Sequence, residues 1–268
     1  MSKEPRRWDE LTTVELDDQA RRGAVAVVPL AAIEQHGPHL PLSTDRIIGE
    51  GVVEEACSEA ASDVPLLILP TLAMGTSPEH AAFGGTLSLD AATLETTLFD
   101  VGASVARAGI RRLVVVNSHG GNRAVVDVAA LRLRTTLEML VVKAHTFRFP
   151  PPDGVDLPGK EWTHGLHGGA VETAIMLHLR PDLVRQDAIR SFPSLGEEME
   201  ATLKHLRPEG PASFAWTADD LNPGGVVGDA TLARAEMGKR FVTHYAAYLA
   251  DILRDTHRFP LDRLAELG

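Results

Sequence analysis

Four short, almost wholly apolar runs punctuate the first half of the chain, at residues 24–31, 65–72, 112–117 and 139–145. A strand with one wet face would alternate polar and apolar positions; unbroken apolar runs read instead as strands buried on both faces. Between them lie longer stretches with helical spacing, 46–61, 90–108 and 122–137. Asp90 opens the second of these as an N-cap residue, and Glu95 lies within its first two turns. Alternation at this spacing predicts right-handed βαβ crossovers and a mainly parallel α/β sheet with helices on both faces. Further helical patterns follow at 169–179, ended by Pro181, at 195–206 and at 229–256. The turn-rich stretch 150–159 is too short for an interdomain linker and reads as a loop crossing the edge of the site. No repeat or low-complexity tract divides the chain, so one domain over residues 1–268 is expected.

Composition narrows the function classes. A hydrophobic fraction of 44% is ordinary for a globular protein and ample for a large core. The formal net charge of −11 argues against a general electrostatic hold on nucleic acid or on an anionic membrane. Residues 1–10 contain no apolar leader core, and no later run approaches membrane-span length. Cys57 is the single cysteine, which excludes an internal disulfide and points to a reducing, cytoplasmic setting.

Candidate chemistry gathers where apolar runs end. After the first comes Glu34-Gln35-His36-Gly37-Pro38-His39-Leu40-Pro41-Leu42-Ser43-Thr44-Asp45. In extended geometry Glu34 and His36 point to one face, setting an oxygen and a nitrogen ligand side by side. Asp45 stands where the next helix begins; it reads as an N-cap, as a ligand able to bridge two ions, or as both. After the third run, Asn117-Ser118-His119-Gly120-Gly121-Asn122 presents His119 at a strand's carboxyl end. Gly120 and Gly121 there allow positive φ, and Asn122 suits an N-cap. An anion-binding turn is the competing reading of this element. The third element, His164-Gly165-Leu166-His167-Gly168-Gly169-Ala170-Val171-Glu172-Thr173, puts Glu172 in a mostly apolar helix. An unpaired carboxylate there is expensive, and a cation would relieve it. His167 suits a proton carrier, since imidazole accepts and donates near neutrality. A fourth patch contributes Ser77, Glu79 and His80, which read either as substrate contacts or as a plain loop. His164, with Lys160 and Arg148, suits contacts to a polar substrate. The ligands are nitrogen and oxygen with no thiolate, a set for Zn²⁺ first, or Mn²⁺ or Fe²⁺. No GxSxG elbow and no dinucleotide glycine fingerprint is present.

These motifs, Glu34-x-His36-Gly37-x-His39-Leu40-Pro41 ending in Asp45, Asn117-x-His119-x-x-Asn122 and His167-Gly168-Gly169-x-x-Glu172-Thr173, resemble the creatininase (creatinine amidohydrolase) family in order and spacing. The patch from Glu79-His80 through Phe83, Gly85, Thr86, Ser88 and Leu89 matches as well. The likeness spans residues 24–179, with a weaker stretch at 222–229. It implies a three-layer α/β/α fold with a two-metal centre at the sheet's carboxyl edge. By the resemblance Glu34, His36, Asp45 and His119 are ligands, with Asp45 bridging. His167 is the catalytic histidine and Ser77 a substrate contact. It also implies a homo-oligomer, a hexamer built from dimers. Creatininase itself carries a glutamate ligand two residues after the histidine of its Asn-x-His turn, where this chain has Gly121; Glu172 then supplies the missing oxygen. The tryptophans that creatininase sets over its substrate have no clear counterparts.

The expected function is therefore a metal-dependent hydrolase cleaving a C–N bond in a small cyclic amide or formamide. A ring-opening hydrolase of a cyclic polyol ketone is the alternative on the same centre. A non-catalytic metal or small-molecule binding protein is the alternative of another class.

Overall fold

The computed structural model describes residues 5–264. Five strands form one sheet: β1 (Arg6–Arg7), β2 (Val25–Leu30), β3 (Leu66–Ile68), β4 (Arg112–Asn117) and β5 (Leu140–His145), in the order β1-β3-β2-β4-β5. Every pairing is parallel. Helices α1 (Thr13–Arg21), α2 (Thr44–Ala60), α3 (Ala91–Arg107), α4 (Arg123–Leu137), α5 (Gly159–His164), α6 (Ala170–Leu179), α7 (Leu195–Thr202), α8 (Ala218–Leu221) and α9 (Ala235–Arg258) surround it. A two-stranded antiparallel ribbon, β6 (Ser191–Phe192) with β7 (Gly228–Asp229), lies apart from the main sheet.

The strands divide their side chains with period two. Val25, Val27, Val114 and Val116 face a core shared with α2, α6 and α9, including Val52, Ile175, Phe241 and Leu249. Ala26, Val28, Leu113 and Val115 face the other core, built with Leu94 and Leu98 of α3 and Val126 and Leu133 of α4. The three-layer α/β/α arrangement is thus present.

The strand expected over 65–72 forms only at Leu66–Ile68. Pro70 has no N–H to give the ladder, and pairing returns only as the Leu30–Leu72 bridge. β1 and α1 were not foreseen; β1 is short and carries arginines, while Thr12 and Glu15 close a capping box on α1. The last helix starts at Ala235 rather than 229, because Gly228–Asp229 belongs to the ribbon. The 150–158 loop lies against α9, where Arg240 Nη1 donates to the Gly154 carbonyl at 2.8 Å. Among the described residues, no helix is long and apolar enough to cross a membrane.

Two features place the site. Leu30, Asn117 and His145 are in register, so β2, β4 and β5 end level at the carboxyl edge. From β2 the chain passes to α2 on one face, while β4 leads into α4 on the other. Loops that part toward opposite faces leave a crevice between them, the usual ligand position in an open α/β sheet.

Candidate active site

Into that crevice the sequence delivers three loops. The first follows β2 and carries Glu34 and His36, both fully buried, to Asp45 in the first turn of α2. Ser43 is the residue before α2, so Asp45 is not its N-cap; its carboxylate is free for other partners. His119 follows β4. His167 precedes α6, and Glu172 sits in that helix's first turn.

The three meet. Asp45 Oδ1 lies 3.3 Å from His36 Nε2, and Asp45 Oδ2 lies 3.3 Å from His119 Nδ1. Glu34 Oε1 is 3.2 Å from His119 Nδ1, and Glu172 Oε2 is 3.8 Å from His36 Nε2. Three overlapping sets of ligand atoms result among the described residues, Glu34–Asp45–His119, His36–His167–Glu172 and Glu34–His80–His167, the atoms of each within 4.8 Å of one another. Asp45 offers one oxygen to each side.

The outer ring nitrogens fix the tautomers. His36 Nδ1 donates to its neighbour's carbonyl, Glu34 O, at 3.1 Å. His119 Nε2 donates to Thr76 O at 3.0 Å. With those protons committed outward, His36 Nε2 and His119 Nδ1 are the nitrogens left facing the carboxylates, where a proton or a metal ion can sit between them, as in metal-bound imidazoles. His167 follows the same rule: Nε2 donates to Gln35 O at 2.7 Å, and Nδ1 stands 3.7 Å from Glu34 Oε1.

His80 behaves differently. It is buried rather than lining an open surface. Its Nδ1 accepts from Gln35 Nε2 at 2.9 Å, so Nε2 carries the proton and faces Glu34 Oε1 at 3.4 Å. His80, expected as a substrate contact, is thus placed inside the cluster with its ring edge toward Glu34.

The electrostatics follow from burial and the carboxylates. Burial alone would depress His36, but Asp45, Glu172 and Glu34 outweigh it and raise it to about 10. Burial likewise opposes charge on His119, and Glu34 and Asp45 raise it well above its usual range. Asp45 is resisted by burial yet held far below the ordinary carboxylate range by His36 and His119. His80 and His167, crowded by burial and by neighbouring imidazoles, are depressed, His80 to about 2. The carboxylates therefore demand positive charge at the centre.

A cation fits that demand. Glu34 Oε1 and Oε2, His36 Nε2 and Asp45 Oδ2 are buried with no hydrogen-bond partner. Bare buried polar atoms cost about 1–3 kcal/mol each, more when charged. The donors are imidazole nitrogens and carboxylate oxygens without thiolate, which suits Zn²⁺, Mn²⁺ or Fe²⁺.

The remaining sequence candidates divide. Ser77 is buried with Oγ 3.3 Å from His119 Nε2, and Glu79 Oε1 lies 3.3 Å from the same nitrogen. His164 does not join them: its Nε2 contacts Glu200 Oε2 at 2.7 Å, and it packs beside Gly196 of α7. Neither Gly120 nor Gly121 has positive φ. Gly121 is required by space instead, since a Cβ there would meet Glu79 Oε1 at 2.3 Å and His119 Nε2 at 2.5 Å. Asn122 makes no cap hydrogen bond to α4. It ties loops together, accepting from Thr76 N at 2.9 Å and donating to Ala31 O at 3.0 Å.

Sequence reasoning passed over Gln35 and His39. Gln35 Nε2 donates to Gly225 O as well as to His80, while its Oε1 accepts from Gly37 N at 3.0 Å. His39 Nε2 reaches Gly168 O at 3.1 Å and Thr173 Oγ1 at 3.0 Å. The position of Gln35 between two ligand candidates was the available signal.

Comparison with known proteins gives a consistent picture. A family described as creatinine amidohydrolase (creatininase) matches residues 9–253. A mycofactocin precursor peptide peptidase of Mycobacterium tuberculosis is 34% identical over 239 residues, covering 87% of this chain and 84% of that protein. A manganese creatininase structure superimposes with a TM-score of 0.75 at 28% identity, covering 96% of this chain and all of the other (100%). A Zn-Zn form of a creatininase mutant gives 0.74 at 29% identity, over 95% and 98% of the two chains.

Proposed function

This chain belongs to the creatininase family and is a hydrolase of that kind, and from that premise we propose that it cleaves a C–N bond in a small cyclic amide or formamide. The reading rests on one observation: overlapping sets of nitrogen and oxygen ligands gather around Asp45, which turns one oxygen to His119 and the other to His36, and buried donor atoms are left unpartnered. Glu34, Asp45 and His119 would hold one divalent ion, and His36, Asp45 and Glu172 a second; Zn²⁺ is the first choice and Mn²⁺ or Fe²⁺ the next. Such ions, when bound, supply Lewis acidity, bringing the pKa of water toward neutrality and polarising a carbonyl.

The chain's own residues handle the rest. His167 is kept neutral by burial, with Nε2–H tied to Gln35 O. Its Nδ1 lone pair, aimed at the cluster, accepts a proton from the attacking water and returns it to the leaving nitrogen. His80 faces Glu34 Oε1 across 3.4 Å and borders that ligand without saturating it. Glu79 and Glu172, the more open carboxylates, border the approach, and Ser77 serves as a substrate contact. C–N cleavage is favoured because the relatives of 30% identity or more are named for it, as peptide peptidase and creatinine amidohydrolase, while the inosose hydrolase that supports the ketone reading is 24% identical. The homo-oligomer, hexameric by resemblance, belongs to the same proposal and is read by sedimentation velocity.

Metal analysis with a hydrolysis screen over cyclic amides, formamides, peptides and cyclic polyol ketones tests the function. Metal-dependent turnover of an amide is expected, with His167→Ala retaining metal and losing about 10²–10⁴-fold in kcat. Turnover confined to ketones would move the reaction to C–C cleavage. Metal binding without turnover of any of them would make the protein a binder.

A further inference from the structure

We infer that Glu161 is a positioning residue that sets His167 and Glu172 in place, an inference that rests on the metal-centre reading above. Glu161 lies in short α5 and is buried at 5% exposure. Both of its carboxylate oxygens are engaged by the main chain. Oε1 accepts from Ala170 N and Oε2 from Asp229 N, each at 2.7 Å. No side-chain cation is among these partners, and its carboxylate reaches none of the ligand groups.

Ala170 is the first residue of α6, and Gly169 before it has no side chain with which to cap that helix. Glu161 therefore caps α6 from another element and places a negative charge at its N-terminus, where the helix dipole favours one. The backbone closes tightly around this carboxylate. A Cβ at Gly165 or Gly169 would stand 2.5 Å from Oε1, and one at Gly228 would stand 2.8 Å from it. Side chains at those positions would displace the acid.

The clamped segment is the one that carries the chemistry. His167 lies between Gly165 and Gly169, and Val227 N donates to His167 O at 2.8 Å. Glu172, in the first turn of α6, accepts from Gly168 N at 2.6 Å. Glu161 thus ties the start of α6 to β7; the proton carrier His167 lies in the loop just before α6, and Glu172 sits in that helix's first turn. The requirement is for an acid. Glutamine has the same shape but a single acceptor, so its NH₂ would face a backbone N–H.

Mn²⁺ binding to chelator-treated protein, followed by calorimetry, tests this without a substrate. In wild type two positions are expected. In Glu161→Gln the Glu34–Asp45–His119 position should keep its affinity within about 2-fold, while the position using His36 and Glu172 weakens by about 10-fold or more. Gly169→Ala, which crowds the carboxylate from the backbone side, should do the same and serves if Glu161→Gln is recovered unfolded. Equal affinities in variant and wild type, or parallel weakening of both positions, would overturn the role of Glu161 alone. Wild-type protein that binds no Mn²⁺ would overturn the metal-centre reading and this inference with it.

Discussion

A methyl group added at position 121 would have nowhere to go, being 2.3 Å from Glu79 Oε1, 2.5 Å from His119 Nε2 and 2.7 Å from Thr76 O. Gly121→Ala must push the His119 ring, and with it the nitrogen facing Glu34 and Asp45. Metal content measured after dialysis should fall at least about 10-fold in affinity, while the far-UV spectrum stays native; unchanged metal content would show that His119 is not a ligand. His39 yields a prediction of a different kind. Burial depresses its pKa to about 4, against the pull of the Gly168 carbonyl. Between pH 6.5 and 4 the unfolded chain holds a proton that the folded protein refuses. Stability from this group is therefore complete above pH 6.5 and falls as pH drops toward 4. His39→Gln keeps a donor toward Gly168 and removes the titration, so its denaturant midpoint should fall less than wild type's between pH 7 and pH 5. Equal slopes would refute this. Most of these residues could be named from the sequence because Glu34 and His36 flank one turn of chain and glycines mark the others. Gln35 escaped because extended alternation turns its side chain away from theirs, yet its carbonyl and amide reach His167 and His80.

Between elements, α9 crosses close against α6. A Cβ on Gly238 would lie 1.8 Å from the Ala174 carbonyl oxygen. The two backbones touch there, which fixes how far α6 sits from the sheet and so where Glu172 reaches. Gly238→Ala should force the helices apart and destabilise by about 1–3 kcal/mol, as overpacking does. It should also weaken the metal position that uses Glu172, although residue 238 touches no ligand. A thermal melt and a Mn²⁺ titration read the two effects, and a variant with native melting and native binding would deny the coupling. The elements were legible where their pattern was long: α2, α3 and α4 lie within a residue or two of expectation at each end. Where one residue overrides the pattern they were not. Pro70 cuts β3 short, and α5 is a six-residue helix whose sequence, Gly159–His164, has no apolar stripe. The role of Glu161 was illegible for the same reason: its partners are main-chain N–H groups that no sequence pattern announces.

In the whole molecule, the order of strands decides that loops distant in sequence meet. Placing β2 between β3 and β4 brings the segments after Leu30 and Asn117 together at one edge, and α6 folds back over them. The α/β class and the parallel sheet followed from apolar runs; the meeting of Glu34, Asp45, His119 and Glu172 needed the topology. A shared cation is then a cross-link between segments that the sheet alone does not join. Its removal should have a local signature. At a free metal concentration of about 100 Kd, binding to the folded state alone adds about 2.7 kcal/mol, so chelation should lower the melting temperature and Mn²⁺ or Zn²⁺ should restore it. The loss should also be uneven. Amides at 34–45, 118–122 and 165–172 should exchange faster after chelation, because those loops would be left with unscreened carboxylates facing one another. Amides in β2 and β4, buried on both faces, should keep their protection. Uniform acceleration would mean that the ion acts on global stability without bridging these loops, and no acceleration at all would mean that hydrogen bonds such as Asn122 to Ala31 and Gln35 to Gly225 suffice to hold the site together.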